Sequence, residues 1–183
     1  HPRLPEVTFA YAGHPYPSSW LDNSAMSLFR VNDSSNPITD EGATLGRVLF
    51  YDEQLSIDAS TSCASCHQPE HGFADAQPYS EGVGDGLTFR NSMALINLAY
   101  QRRLFWDARE SNLEDQVLQP IAHTDEMGMD LEALPMRLEE LGYYGGLFHD
   151  AFGDSTITVS RVAASLAQFL RSLQSTHSRY DLG

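Results

Sequence analysis

Cys63-Ala64-Ser65-Cys66-His67 decides the reading of this chain. Two thiols two residues apart on one helical turn reach the two vinyl groups of a haem, and the adjacent imidazole then lies under the iron. The stretch therefore implies one covalently bound haem c, held by thioethers from Cys63 and Cys66, with His67 as an axial iron ligand. These are the chain's 2 cysteines, so no second Cys pair exists to build a zinc site.

Working outward, Thr39 is placed to cap a helix in which Leu45, Val48 and Leu49 recur up to about Tyr51. Upstream, residues 1–38 carry Pro2, Pro5, Pro15, Pro17 and Pro37 among Ser, Asn and Asp, which reads as an irregular arm ahead of a haem domain spanning 39–183. Downstream, Pro69 and Gly72 close the haem turn. Residues 74–90 hold Gly82, Gly84 and Gly86 without an apolar period and read as a loop lying against the haem edge.

Short helices are expected over Ser92 to Tyr100 and over Ser111 to Gln119, the second stopped by Pro120. Asp130 is placed to cap a helix carrying Leu131, Leu134, Leu138 and Leu141, with Pro135 near its first turn. The clearest apolar stripe, Val159, Val162, Ala163, Leu166, Phe169, Leu170 and Leu173, predicts a helix from Thr158 to about Ser175 that serves the core. There is no internal repeat and no alternating strand run. The expected fold is all-α, a cytochrome c-like helical domain wrapped around one haem.

The chain has 183 residues, enough for one core. Its 25 acidic against 11 basic residues leave a formal charge of -14, which argues against nucleic acid and suits attraction of a basic redox protein. No run approaches the roughly 18 apolar residues of a membrane-spanning helix. The opening His1-Pro2-Arg3 reads as a processed end. Because haem is attached covalently outside the cytoplasmic membrane, a periplasmic or extracellular location is expected.

The sixth iron position separates an electron carrier from an enzyme, since a strong Met or His ligand closes it and an open position admits peroxide. Met93, Met127, Met129, His71 and His123 are all candidates, and the residues alone leave the choice open.

From Leu45 to about Met129 the chain resembles the N-terminal haem domain of bacterial di-haem cytochrome c peroxidases and their relative MauG. The resemblance rests on Leu45-Gly46-Arg47-Val48-Leu49-Phe50-Tyr51-Asp52, Ser62 to His67, Arg90-Asn91-Ser92, Phe105-Trp106-Asp107-Ala108-Arg109 and Glu126-Met127-Gly128. Ser178 to Gly183 is similar to the family's junction into a second haem domain, which would be absent here.

The resemblance implies the haem at which hydrogen peroxide reacts, with Glu126 as the acid/base and Gln116 as a distal hydrogen-bonding group. It implies Trp106 as an electron-transfer aromatic between two haems and Asn91 as a ligand of an interdomain calcium ion. Arg90 and Arg109 are expected to pair with haem propionates. The electrons would come from a second haem domain or chain, fed by a small electron-donor protein.

Two positions depart from the family pattern. Val83 stands where many of the peroxidases carry an iron-capping His, which implies a resting haem open to peroxide, as in the MauG-like branch. Ala108 stands where the family usually has Gly. The rival reading is a non-catalytic electron-transfer cytochrome c domain within a larger redox complex.

Overall fold

The computed structural model describes residues 4–13, 16–31, 35–176 and 178–179. The chain's first three residues and its last four lie outside them. Among the described residues there are eight α-helices and no strand: α1 (Ser18–Leu21), α2 (Ser24–Ser27), α3 (Asp40–Tyr51), α4 (Cys63–Cys66), α5 (Leu113–Ala122), α6 (Leu134–Glu140), α7 (Tyr144–Phe152) and α8 (Val159–Ser172). Three isolated β-bridges pin loops. The fold is all-α.

The centre of the molecule is the packing of α3 on α8. Thr39 caps α3 as expected, its Oγ1 accepting from Gly42 N at 3.0 Å, and Thr158 caps α8 by accepting from Arg161 N at 3.2 Å. Leu45 and Leu49 of α3 and Val162 and Leu166 of α8 are buried in one core with Ile121, Leu134, Leu138, Tyr144 and Phe148. Gly46 lets the helices approach closely, because a Cβ there would overlap Ser165 O.

Several expected elements differ. Residues 92–97 are not helical, and only a 3-10 turn, Leu98–Tyr100, forms. Asn97 adopts a left-handed φ of 57°. Its N–H donates to Leu173 O at 2.8 Å, and its side chain pairs with both Ser175 N and Ser175 O at 2.9 Å. These tertiary bonds replace helical ones, and they also explain why α8 stops at Ser172.

Helix α5 continues past Pro120 to Ala122, with His123 N donating to Gln119 O at 3.0 Å. Pro120 costs only the hydrogen bond to Gln116 O. Helix α6 starts at Leu134, after a turn in which Asp130 Oδ1 accepts from Glu132 N at 2.9 Å. Helix α7 was not expected from the apolar pattern. Its Tyr143-Tyr144 start is anchored on α3, where Asp52 Oδ2 accepts from the hydroxyls of Tyr143 and, at 2.7 Å, Tyr144.

The arm contains α1 and α2 and is tied down. Tyr16, Trp20 and Tyr100 form an aromatic cluster, and Asn36 Nδ2 donates to Glu114 Oε1 at 2.7 Å. No helix among the described residues is long and apolar enough to cross a membrane.

Candidate active site

Helix α4 is a single turn carrying both thiols. Ser62 N–H donates to Ser65 Oγ at 3.1 Å at its start, and His67 N–H donates to Cys63 O at 2.9 Å at its end. Neither cysteine is in a disulfide. Burial pushes the Cys63 thiol up to about 12 and raises Cys66 in the same direction, so both keep their protons at neutral pH.

The His67 ring is oriented by the main chain. Its Nδ1 lies 2.8 Å from Phe73 O. A carbonyl only accepts, so Nδ1 carries the proton and the lone pair of the neutral ring sits on Nε2. Burial lowers the His67 pKa, against the pull of the Phe73 and Met93 carbonyls, which favours the neutral ring that a metal requires. Phe73 itself has φ +58°, a strained conformation for a bulky residue. That strain turns its carbonyl to the imidazole.

Cys63, Cys66 and His67 line a cavity of about 370 Å³ with Phe50, Leu95 and Leu170 among its apolar walls. Two thiols, an imidazole with Nε2 as its lone-pair nitrogen, apolar walls and two arginines at the same cavity match a flat apolar macrocycle with anionic edges. The residues fit haem c.

Glu126 and Gln116 line the same cavity. Gln116 projects from α5. Glu126 lies on the turn after α5, where its N–H donates to His123 O at 3.0 Å and its carbonyl accepts from Val83 N at 2.9 Å. Burial raises the Glu126 carboxyl above the ordinary carboxylate range, although His123 and Arg109 pull it down. His123 Nδ1 stands 4.0 Å from Glu126 Oε1.

Of the five candidate sixth ligands, Met93, Met127 and His123 line the cavity, whereas Met129 and His71 do not. Met129 is a core residue, 4% exposed. The expectation for the glycine loop needs correcting: Thr88, Phe89 and Arg90 line the cavity, but residues 82–86 do not. Gly82, Val83 and Gly86 pack on Asp125 and Glu126 instead.

Arg90 and Arg109 stand at the cavity, both paired with Asp107 at 3.0 Å. The two guanidinium groups hold the Asp107 carboxyl below its ordinary value, Arg109 most strongly. Arg109 also lies over the Phe105 ring, 3.4 Å from its centroid. Trp106 is 61% exposed, which removes it from the core, and its Nε1 donates to Asn91 O at 2.8 Å. Asn91 Nδ2 donates to Asp75 O and Gln77 O. Among the described residues no three His, Cys, Asp or Glu side chains gather as a metal site.

Residues 40–182 match the family model for di-haem cytochrome c peroxidase. The chain belongs to the di-haem cytochrome c peroxidase family. It is 37% identical over 147 residues to the methylamine utilization protein MauG of Methylophilus methylotrophus, covering 80% of this chain and 44% of that one. It is 32% identical over 146 residues to cytochrome-c peroxidase IdrP1 of Denitromonas iodatirespirans, covering 80% and 39%.

Among solved structures, a MauG-like protein associated with microbial copper homeostasis superimposes with a TM-score of 0.72 at 30% identity, covering 83% of this chain and 45% of that one. The diheme peroxidase BthA of Burkholderia thailandensis gives 0.70 at 25%, covering 82% and 44%. The chain thus spans less than half the length of the relatives it matches.

In this member of the di-haem peroxidase family, two functional groups escaped sequence reasoning. The Phe73 carbonyl is main chain and carries no residue signal. Asp107 stood inside a recognised motif, but its pairing with both arginines depends on the turn at Phe105 and Ala108, two non-glycine residues with φ of 63° and 56°.

Proposed function

We propose that this chain is the haem domain at which hydrogen peroxide is reduced, as part of a di-haem peroxidase or MauG-like oxidase. The observation that carries this reading is Glu126, a carboxyl raised by burial in the wall of the cavity lined by Cys63, Cys66 and His67. A carboxyl with a raised pKa both takes and gives a proton near working pH.

Haem c would be held through thioethers to Cys63 and Cys66 and through His67 Nε2, and when bound it supplies an iron able to exchange electrons with peroxide. The Glu126 carboxylate takes the proton from one peroxide oxygen and returns it to the other, so that the departing oxygen leaves as water. Gln116, in the same cavity wall, would donate its amide N–H to a peroxide oxygen. The reaction consumes one peroxide, two protons and two electrons and yields two waters.

The electrons come from outside the chain, from a second haem domain or chain supplied by a small donor protein. The exposed Trp106 indole suits the contact with that second haem. Arg90 and Arg109 neutralise the propionates, and Asn91 offers an amide oxygen to a calcium ion at the domain junction. Assembly of such a centre belongs outside the cytoplasmic membrane.

The test is an absorption and EPR spectrum of the haem-loaded ferric protein before and after one equivalent of hydrogen peroxide. A high-spin signal that peroxide converts, at a rate about a hundredfold lower in Glu126→Gln, supports the proposal. A low-spin spectrum that peroxide leaves unchanged overturns it. The electron-carrier reading would then stand, and the presence of Met93 and Met127 in the cavity wall favours it as the second choice.

A further inference from the structure

Within the glycine loop, Gly82, Val83 and Gly86 are built against the segment that presents Glu126, not against the cavity. The base of the loop is closed by the bridge between Glu81 and Leu87, and its tip by Gly82 N to Gly86 O at 2.9 Å and Gly86 N to Val83 O at 3.1 Å. Val83 N–H donates to Glu126 O at 2.9 Å. At the same contact, a Cβ on Gly82 would overlap Asp125 O, and one on Gly86 would lie 2.9 Å from it.

The loop's other end reaches the haem turn, with Cys66 Sγ 3.8 Å from Glu81 O. One short hairpin therefore spans from the cysteine turn to the backbone of the acidic residue. Residue 82 must be glycine for the two backbones to meet at this distance.

We infer that Gly82 and Val83 are positioning residues for Glu126: their backbone clamps Asp125 and Glu126 so that the carboxyl stands in the cavity wall. The inference rests on the role proposed above for Glu126. In this chain the loop acts through its main chain, and the Val83 side chain needs no polar group. Gly84 is the internal control. It has φ +62° but no atom within 4 Å of where a Cβ would sit, so Gly84→Ala strains the loop without pushing on Asp125.

The experiment compares Gly82→Ala, Gly84→Ala, Glu126→Gln and the double variant Gly82→Ala/Glu126→Gln as haem-loaded proteins. Two quantities are read: the rate of reaction with hydrogen peroxide, and hydrogen exchange at the Val83 amide. The expectation is a loss of tenfold or more in Gly82→Ala, a double variant no slower than Glu126→Gln alone, and a rate within twofold of the parent in Gly84→Ala. Val83 amide protection should fall in Gly82→Ala and persist in Gly84→Ala.

If Glu126→Gln slows the reaction while Gly82→Ala does not, or if the two losses multiply, the positioning role is overturned and the role of Glu126 survives. Equal loss in Gly82→Ala and Gly84→Ala also overturns it, as general loop damage. If Glu126→Gln leaves the rate unchanged, the role of Glu126 falls and the positioning role falls with it.

Discussion

Glu126 Oε1 and His123 Nδ1 face each other at 4.0 Å across the turn that follows α5, and the same imidazole nitrogen accepts from Asp125 N–H at 3.2 Å. The carboxyl is thus held beside a half-exposed base while its own pKa is raised by burial.

Because the folded pKa of Glu126 lies above its unfolded value, the folded state keeps a proton that the unfolded state releases. Its stabilising contribution is complete below the unfolded value and is lost as pH rises through the folded one. Glu126→Gln is neutral at every pH. Its melting temperature relative to the parent should therefore rise between pH 4 and pH 7. A difference that stays flat across that range would contradict the burial assigned to Glu126.

Arg171, with its side chain 5% exposed, donates from Nη2 to both Glu114 carboxylate oxygens at 2.7 and 2.8 Å. Burial alone would raise the Glu114 pKa, but Asn36 and Arg171 outweigh it and lower the net value. Glu114→Ala removes the carboxylate that accepts from the buried Arg171 guanidinium and should cost about 3 kcal/mol. The parent's advantage over Glu114→Gln is present above the unfolded carboxyl pKa and disappears as pH falls through the lowered folded one. Urea titrations at pH 7 and pH 3 test both statements.

Ala108 holds φ +56° on the surface, a conformation that costs an L-residue about 1 kcal/mol or more. Glycine relieves that cost and returns part of it as unfolded-chain entropy. Ala108→Gly should raise stability by about 0.5 kcal/mol and the melting temperature by roughly 1–2 °C. Calorimetry showing a loss of stability would mean that the left-handed turn is not strained.

Gly46→Ala should act in the opposite sense. Its methyl group would enter the contact with Ser165 O between α3 and α8, and overpacking of this kind costs about 2 kcal/mol. The expected fall in melting temperature is roughly 4–8 °C. A variant as stable as the parent would show that the two helices can separate without cost.

Much of the site was legible because short-range spacing carries its chemistry. Cys63, Cys66 and His67 meet on one turn whatever surrounds them, and the cap at Thr39 needs only a hydroxyl three residues before a free N–H. Ser92 to Tyr100 misled because its apolar spacing suits a helix, yet Asn97 bonds to the chain beyond α8 instead. Helix α7 was missed because Gly145 and Gly146 weaken its local propensity; its hold on α3 comes from the two tyrosine hydroxyls on Asp52, 91 and 92 residues away in sequence.

The sequence by itself determined the cofactor class, the all-α character and the family, since each rests on residue identities at fixed short separations. Only the tertiary structure decided that His67 takes its proton on Nδ1, that Asp107 gathers both arginines, that Trp106 faces outward and that the glycine loop grips Asp125 and Glu126. Those relations join main-chain atoms and side chains distant along the chain. Their energy depends on burial and direction, which no local pattern encodes.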